Sequence, residues 1–551
     1  MKRPFLIAFV TASMLFGVTI LTITPLFWSN DDVYIAMVSG GFGIASYQSP
    51  HLIFSHFLLG SILQRIPHLL GIEPFSLSIY FAVFLAVIVF NFAVLRLKTD
   101  FPAIMLLIFA DVLVYLPVVA RPQFTIVGAL LTSAAALLAL SLILRKPVTR
   151  RRLVAGLCIA ALVGLYGSLI RIEAFAVIVL IAISAVFFSY LSRPKVLLTK
   201  YLPAAVLMAL LILALYQLDR LPYRKDPAWG SYHTFNWLRC QFTDYNRVNY
   251  SEQTKRIFDQ IGWTHNDFMM IKEWFFVHQP TYSLDNLEFI VSSFPLREQI
   301  LSRIPLLSEI PGKIYASKGG AQTILALFLI FILLQRRGRL YLCAPIVSTT
   351  IVMTGLFLVG RLVPRVFLPL LSSLLLFGTV LLVFESRSLQ NARKSVHLLR
   401  LAAICLVGLC AVWQASAVMT FNKKNSEAVR QVRGDITALH PRGDQLFVIW
   451  ADDFPFDKAF PLLSNDPSIR QMKLFGLSSM SHAPFCRRRL EEFGIRDLAS
   501  AFYERDDVFL VARPERCSLL MTFIREHFGV NTEAVKYFTG QTFTVFRLKT
   551  I

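Results

Sequence analysis

The chain has 551 residues, of which 56% are hydrophobic and 16% charged, and its mean hydropathy is +0.59. That balance excludes an ordinary soluble domain and indicates a multi-pass membrane protein. The net charge of +21 would point to nucleic acid if it were spread evenly. It is instead concentrated in alternate connectors between apolar runs, so no nucleic-acid partner is expected.

The first apolar run, about 5–27, follows Lys2 and Arg3. It is too long for a plain signal peptide and lacks a clear cleavage site, although a signal-anchor shares its features. Just past it stands Asn30-Asp31-Asp32-Val33-Tyr34, an acidic pair opening a loop over 28–75. Ionised groups beside a membrane are costly and often mark a site. Later in this loop, Leu52, Ile53, Phe57, Leu58, Ile62, Leu63 and Ile66 follow helical spacing. This predicts an amphipathic helix over 50–70, lying in the interface; a short re-entrant segment fits the same pattern.

Ten more runs lie at about 76–95, 102–120, 123–144, 153–170, 173–191, 202–218, 320–335, 340–359, 366–384 and 398–419. Runs of roughly 17–25 residues cross the hydrocarbon core as helix, so eleven spans are expected. Alternate connectors hold Lys2 and Arg3; Arg96 and Lys98; Arg145, Lys146 and Arg150 to Arg152; Arg193, Lys195 and Lys200; Arg336, Arg337 and Arg339; and Arg387, Arg393, Lys394 and Arg400. By the positive-inside rule the N-terminus is cytoplasmic, and eleven spans put the C-terminus on the other side. The opposite connectors include three short turns: Arg121-Pro122-Gln123, Arg171-Ile172-Glu173, and the stretch from Gly360 to Arg365 that carries Arg361. Each places arginine at the membrane surface that holds Asp31 and Asp32. Asp111 falls inside the third span, where an unpaired carboxylate is expensive. It is expected to be protonated, or bonded to Ser133 or another polar group.

A second large loop, 219–319, carries Trp229, Trp237, Trp263 and Trp274. Short helices are predicted over 252–261 and 267–277, and a loop this long implies a function. His265 and Asp267 fit either an acceptor site or a capped helix start. The tail over 421–551 alternates predicted helices (426–439, 487–493, 514–528) with strands (445–450, 507–512, 534–538, 542–548). This is the pattern of a small α/β domain, without a Gly-rich phosphate loop. Asp452-Asp453 follows the first strand and fits a sugar or divalent-ion contact, or simply a polar strand end. Cys158, Cys343, Cys405 and Cys410 fall in spans as small apolar residues. Of Cys240, Cys486 and Cys517, the last two are the expected disulfide. No CxxC or HxxxH spacing suggests a structural metal.

A carboxylate and arginines at one membrane face suit sugar transfer from a polyprenyl-phosphate carrier. The carboxylate takes the acceptor proton, and planar guanidinium groups stabilise the departing phosphate. Each residue also has a plain reading. The acids fit a helix N-cap, the arginines fit snorkelling anchors, and Arg171 with Glu173 fits a neutralised tight turn.

The acidic motif after the first span, the following interfacial segment and the long loop after span seven resemble the GT-C superfamily of polytopic glycosyltransferases. Arg365-Val366-Phe367-Leu368-Pro369-Leu370-Leu371 is similar to the RY-x-LP-x-L sequence of many members, with Val366 in place of Tyr. The resemblance covers about residues 1–420. It implies a membrane all-α bundle of about eleven transmembrane helices over 1–420, with a small C-terminal α/β soluble domain over 421–551. It further implies an inverting transferase with Asp31 or Asp32 as general base, and Arg121, Arg171, Glu173, Arg361 and Arg365 around the substrate. No cofactor is implied beyond the lipid-linked sugar donor, and no metal ligand is identified, which leaves a divalent metal open. The implied partners are a polyprenyl-phosphate-linked sugar, a glycan or glycolipid acceptor, and membrane lipid. The implied location is a bacterial inner membrane, with the C-terminal domain periplasmic. A flippase or transporter, or a polymerase or ligase of lipid-linked glycans, is the alternative. Charge confined to span ends and the lack of repeated halves weigh against transport.

Overall fold

Backbone polar groups in hydrocarbon must be satisfied within the segment, so the apolar runs form helices. The computed structural model describes residues 2–69, 71–144, 149–189, 202–317, 319–385, 394–463 and 466–551. Of the basic connector residues, Arg145, Lys146, Arg193, Lys195, Lys200, Arg387 and Arg393 lie outside the described residues.

Among the described residues, nine helices are long and apolar enough to cross a membrane. Leu296–Ala316 together with Gly320–Leu333 makes a tenth if the pair counts as one span. The protein is thus built as a multi-pass membrane protein, mostly helical, with a small C-terminal sheet domain. Among the described residues this count is short of the expected eleven. Gly320–Leu333 has only 14 residues. The helix Ile172–Ser189 has 18 residues and reaches the edge of the described residues, and the run expected at 173–191 continues beyond them.

Phe124–Leu144 sits at the centre of the bundle, 78% buried, against Pro74–Leu97, Arg150–Ile170 and Pro364–Glu385. Gly167 allows the close approach of its helix to this centre, since a Cβ there would stand 2.5 Å from Thr132 Oγ1. In the Phe101–Ala120 span the helix widens to π geometry over Asp111–Tyr115. Asp111 is bonded across to Asn91, whose Nδ2 donates to it at 2.8 Å. Ser133 pairs with Ser373 instead, at 2.7 Å.

Loop one differs from expectation. The helix predicted over 50–70 is only Phe57–Leu63, seven residues. Residues before it are bent, with Ile53 at φ 62°, and Gly60 packs on the Pro50 carbonyl so closely that a Cβ would lie 2.0 Å from its oxygen. The apolar face is therefore folded around a turn. Loop two contains Lys255–Asp259 and His265–Lys272 near the predicted helices. It also contains the 17-residue Pro227–Thr243, which was not predicted.

The C-terminal domain holds a five-stranded sheet of order β2-β1-β3-β5-β4: β1 Leu446–Trp450, β2 Lys473–Leu477, β3 Val508–Val511, β4 Thr532–Thr539 and β5 Thr544–Thr550. β2, β1 and β3 are parallel, while β5 pairs antiparallel with β3 and β4. β1 is buried at all five positions, as a central parallel strand requires. The domain is continuous with the last span through one 46-residue helix, Lys394–Leu439. The boundary expected at 420/421 falls inside that helix.

The sheet domain docks on both large loops. Arg489, 1% exposed, donates to the Gly43 and Ala45 carbonyls of loop one at 3.0 and 2.7 Å. Leu474 N donates to the same Gly43 carbonyl at 3.2 Å. Toward loop two, Arg516 binds Glu273 at 2.9 Å, and Tyr232 OH donates to the Ser479 carbonyl at 3.0 Å. Asp452 and Asp453 are consumed in this lattice, each paired with Arg513 and Arg516. The Cys486–Cys517 disulfide is not formed, and both thiols are free and buried. They belong to separate helices, Pro484–Glu492 and Pro514–Phe528. Cys486 lies within electrostatic reach of Tyr34 and Tyr232, whereas Cys517 neighbours Asp453.

Candidate active site

The acidic pair divides its two members between different tasks. Ser29 caps the helix Asn30–Gly40, and Asp32 is the third residue inside it. Asp32 Oδ2 accepts from Ser29 N at 3.1 Å and from its hydroxyl at 2.6 Å, completing a capping box. Its Oδ1 accepts from Phe124 N at 2.9 Å, the first residue of the central helix. Asp32 thus fastens two helix starts together and is 1% exposed. Burial pushes its carboxyl up to about 7, against the pull of these hydrogen bonds.

Asp31 is one position earlier, rotated by about 100° on the helix, and points elsewhere. Its Oδ2 receives Arg365 Nη1 at 3.0 Å, with the two side chains 23% and 30% exposed. Arg365 is placed by local sequence. Gly360 turns the chain at φ 84°, and Pro364 starts the helix Pro364–Glu385 with Arg365 in its first turn. Residues 334 apart in sequence therefore meet directly.

Arg361 enters the same turn but binds Asp244 Oδ1 at 2.9 Å, with its guanidinium 5.4 Å from the Tyr245 ring. Burial works against its charge, yet the Asp244 carboxylate outweighs this and holds the guanidinium pKa above its ordinary value. Asp244 also receives Arg239 at 3.0 Å, so one carboxylate bridges two arginines. Asp244, Arg239 and Tyr245 were not singled out in the sequence. The Arg-Cys-Gln-Phe-Thr-Asp-Tyr stretch over 239–245 carried a signal, since arginine and aspartate five apart can meet where a helix ends.

Arg171 Nε binds Glu173 at 3.0 Å and Nη1 donates to the Phe54 carbonyl at 2.7 Å. Its guanidinium lies 5.5 Å from the Phe124 ring, beside the helix start held by Asp32. Glu173 and Arg361 both act on the Tyr245 phenol, which puts those two turns within electrostatic reach of one ring. Arg121 Nη2 donates to the Trp28 carbonyl at 3.1 Å, and its guanidinium lies 4.6 Å from the Phe421 ring. Burial lowers its pKa, opposed by Asp457 and Asp32. The structure therefore joins Asp31 to Arg365, and it arranges Asp32, Arg121 and Arg171 around the start of the central helix. Arg361 belongs to a separate pair with Asp244.

His265 and Asp267 form a capped helix start. Thr264 N donates to Asp267 at 2.8 Å, and the other Asp267 oxygen meets His527 Nε2 at 2.7 Å. With Glu526 these are the one group of three or more candidate metal ligands found among the described residues. Two cavities, of about 20 and 600 Å³, are lined by none of Asp31, Asp32, Arg121, Arg171, Glu173, Arg361 or Arg365.

No protein-family model matches the chain. No curated protein matches it either. Among solved structures, the crystal structure of ArnT from Cupriavidus metallidurans in the apo state is similar over 99% of this chain and 98% of that one. The identity is 10% and the TM-score 0.38. A likeness this remote leaves the activity to be argued from the residues themselves.

Proposed function

We propose that this protein is a GT-C-type glycosyltransferase. It moves a sugar from a polyprenyl-phosphate carrier to a cell-envelope glycan or glycolipid at the periplasmic face of a bacterial inner membrane. The observation that carries the reading is the Asp31–Arg365 pair at 3.0 Å, which brings an acid from the first loop to an arginine starting a late span. In the proposed reaction Asp31 takes the proton of an acceptor hydroxyl as its oxygen attacks the anomeric carbon. The carbon–phosphate oxygen bond breaks with inversion, and both its electrons leave on the phosphate. Arg365 competes between Asp31 and that phosphate. Donor binding thereby frees the carboxylate to act as base and positions a guanidinium where charge develops.

In this reading Asp32 is a positioning residue, since its oxygens are already taken by Ser29 and Phe124. Arg121 and Arg171 stand beside the central helix start, with Glu173 paired to Arg171. Arg361 secures loop two through Asp244 and does not lead in phosphate binding. The test is transfer by purified protein in nanodiscs from a panel of polyprenyl-phosphate sugars, with Asp31→Asn and Asp32→Asn compared. Loss of transfer in the first and retention per folded molecule in the second supports the assignment. Full activity in Asp31→Asn defeats it.

A further inference from the structure

The cavity of about 600 Å³ opens between loop two and the C-terminal domain. That volume falls inside the range of about 300–1,000 Å³ typical of small-molecule sites. Its floor is apolar, from Phe475, Leu490, Ile495 and Leu498. Its rim carries four charged side chains, and their pairing is unequal. Glu491 is met by Arg488 at 3.4 Å. Asp497 caps the helix Leu498–Glu504, accepting from Ala499 N at 3.3 Å and Ser500 N at 3.0 Å. Arg487 and Arg496 also line the cavity, and both are exposed. Neither makes an ion pair or a side-chain hydrogen bond among the described residues. The negative charges of the rim are therefore committed, and the positive ones are not.

Two imidazoles complete the wall, each anchored by one nitrogen. His482 Nε2 meets the Phe276 carbonyl at 2.8 Å, and His278 Nδ1 meets Thr281 Oγ1 at 2.9 Å. Burial holds both below the ordinary histidine range, His482 at about 4, so they are neutral near pH 7. Neutral imidazoles, Gln279 and an apolar floor suit hydroxyls and sugar faces, while the two guanidinium groups suit a carboxylate or phosphate substituent.

We propose that this cavity binds an acidic oligosaccharide, and, resting on the transferase reading above, that this saccharide is part of the acceptor. The site lies between the C-terminal domain, which supplies both arginines, and loop two, so these two parts select the acceptor while the membrane part holds the donor.

The test uses full-length protein in nanodiscs and isothermal titration with trigalacturonic acid, neutral maltotriose and inorganic phosphate. The acidic trisaccharide is expected to bind at least about tenfold more tightly than either other probe. Arg487→Gln/Arg496→Gln is expected to remove that preference without moving the thermal unfolding temperature, because both side chains are exposed. Equal binding of the two trisaccharides, binding of phosphate as tight as that of the acid sugar, or an unchanged preference in the double variant overturns the site. Transfer by the unaltered protein separates the two claims. If it transfers sugar from none of the polyprenyl-phosphate donors, the transferase reading falls while saccharide binding stands; if it transfers but the preference is absent, only the cavity assignment falls.

Discussion

Replacing Asp31 by Asn should remove catalysis and leave the fold nearly untouched. Among the described residues the Asp31 carboxylate has one hydrogen-bond partner, Arg365, at 3.0 Å. The side chains are 23% and 30% exposed, so water resolvates the guanidinium when the acid is lost. The stability change is then about 0–1 kcal/mol, as for a partly exposed pair. A lost general base costs about 10²–10⁴ in rate, or about 3–5 kcal/mol of transition-state stabilisation. Initial rates of sugar transfer and thermal unfolding should be measured on the same nanodisc preparation. The expected outcome is a rate lower by at least about 100-fold with a melting temperature within about 2 °C of the parent. A rate within threefold of the parent would refute the base assignment. So would a rate loss that merely tracks loss of folded protein, which would mark Asp31 as structural.

Asp32→Asn should show the opposite profile. An amide side chain has one acceptor oxygen, so either Ser29 N or Phe124 N loses its partner, at a cost of about 1–3 kcal/mol. Activity per folded molecule should persist, and an unchanged unfolding midpoint would contradict the double-cap role. Burial also sets a pH dependence. Asp32, and Glu73, the buried cap of the helix Pro74–Leu97, both hold their protons to about pH 7 in the folded protein, against ordinary values of 3.8 and 4.5. Between about pH 4 and 7 the folded chain binds protons that the unfolded chain has released. Stability is therefore full below that window and falls as pH rises through it. Glu73→Gln should give a shallower fall in unfolding temperature from pH 5 to 7.5, and an identical slope would exclude Glu73 from the effect. Arg489→Met should leave the Ala45 carbonyl without its buried donor and the Gly43 carbonyl with Leu474 N alone, at about 1–3 kcal/mol for the orphaned carbonyl. Hydrogen exchange should accelerate across 43–47 and 473–477; unchanged protection there would show that Arg489 is not what fastens the sheet domain to loop one.

The membrane part was legible because its signal is long and repetitive. Apolar runs bounded by arginine admit little besides helices; Gly320–Leu333 is shorter than a full span, and Ile172–Ser189 reaches the edge of the described residues. The C-terminal helix Pro514–Phe528 agreed with its expectation at both ends, since a proline opens it and Gly529 closes it at φ 69°. β2 was missed because Lys473–Leu477 is short and contains Gly476, whose weak strand preference masks a buried parallel position. The helix expected over 50–70 failed because periodicity cannot register Gly60 packed on Pro50. In the site, the acid pair and the arginine turns were visible, yet which acid meets Arg365 was not. That choice depends on Ser29 capping the helix and drawing Asp32 inward, a three-dimensional fact. Asp244 offered a local clue in Arg239, five residues before it, but its pairing with Arg361, 117 residues away, was not legible.

The unbroken helix Lys394–Leu439 makes the C-terminal domain a head on a rigid mast. It is about 69 Å long at 1.5 Å per residue, and among its described length it offers no hinge. Insertion of one residue would spin the head by about 100° and lift it by about 1.5 Å, tearing Arg489 from its carbonyl seat. Chain-length drift here is therefore quantised. Near-sevenfold insertions restore the heading but raise the head by about 10 Å, so the distance from bilayer to sheet works as a built-in ruler.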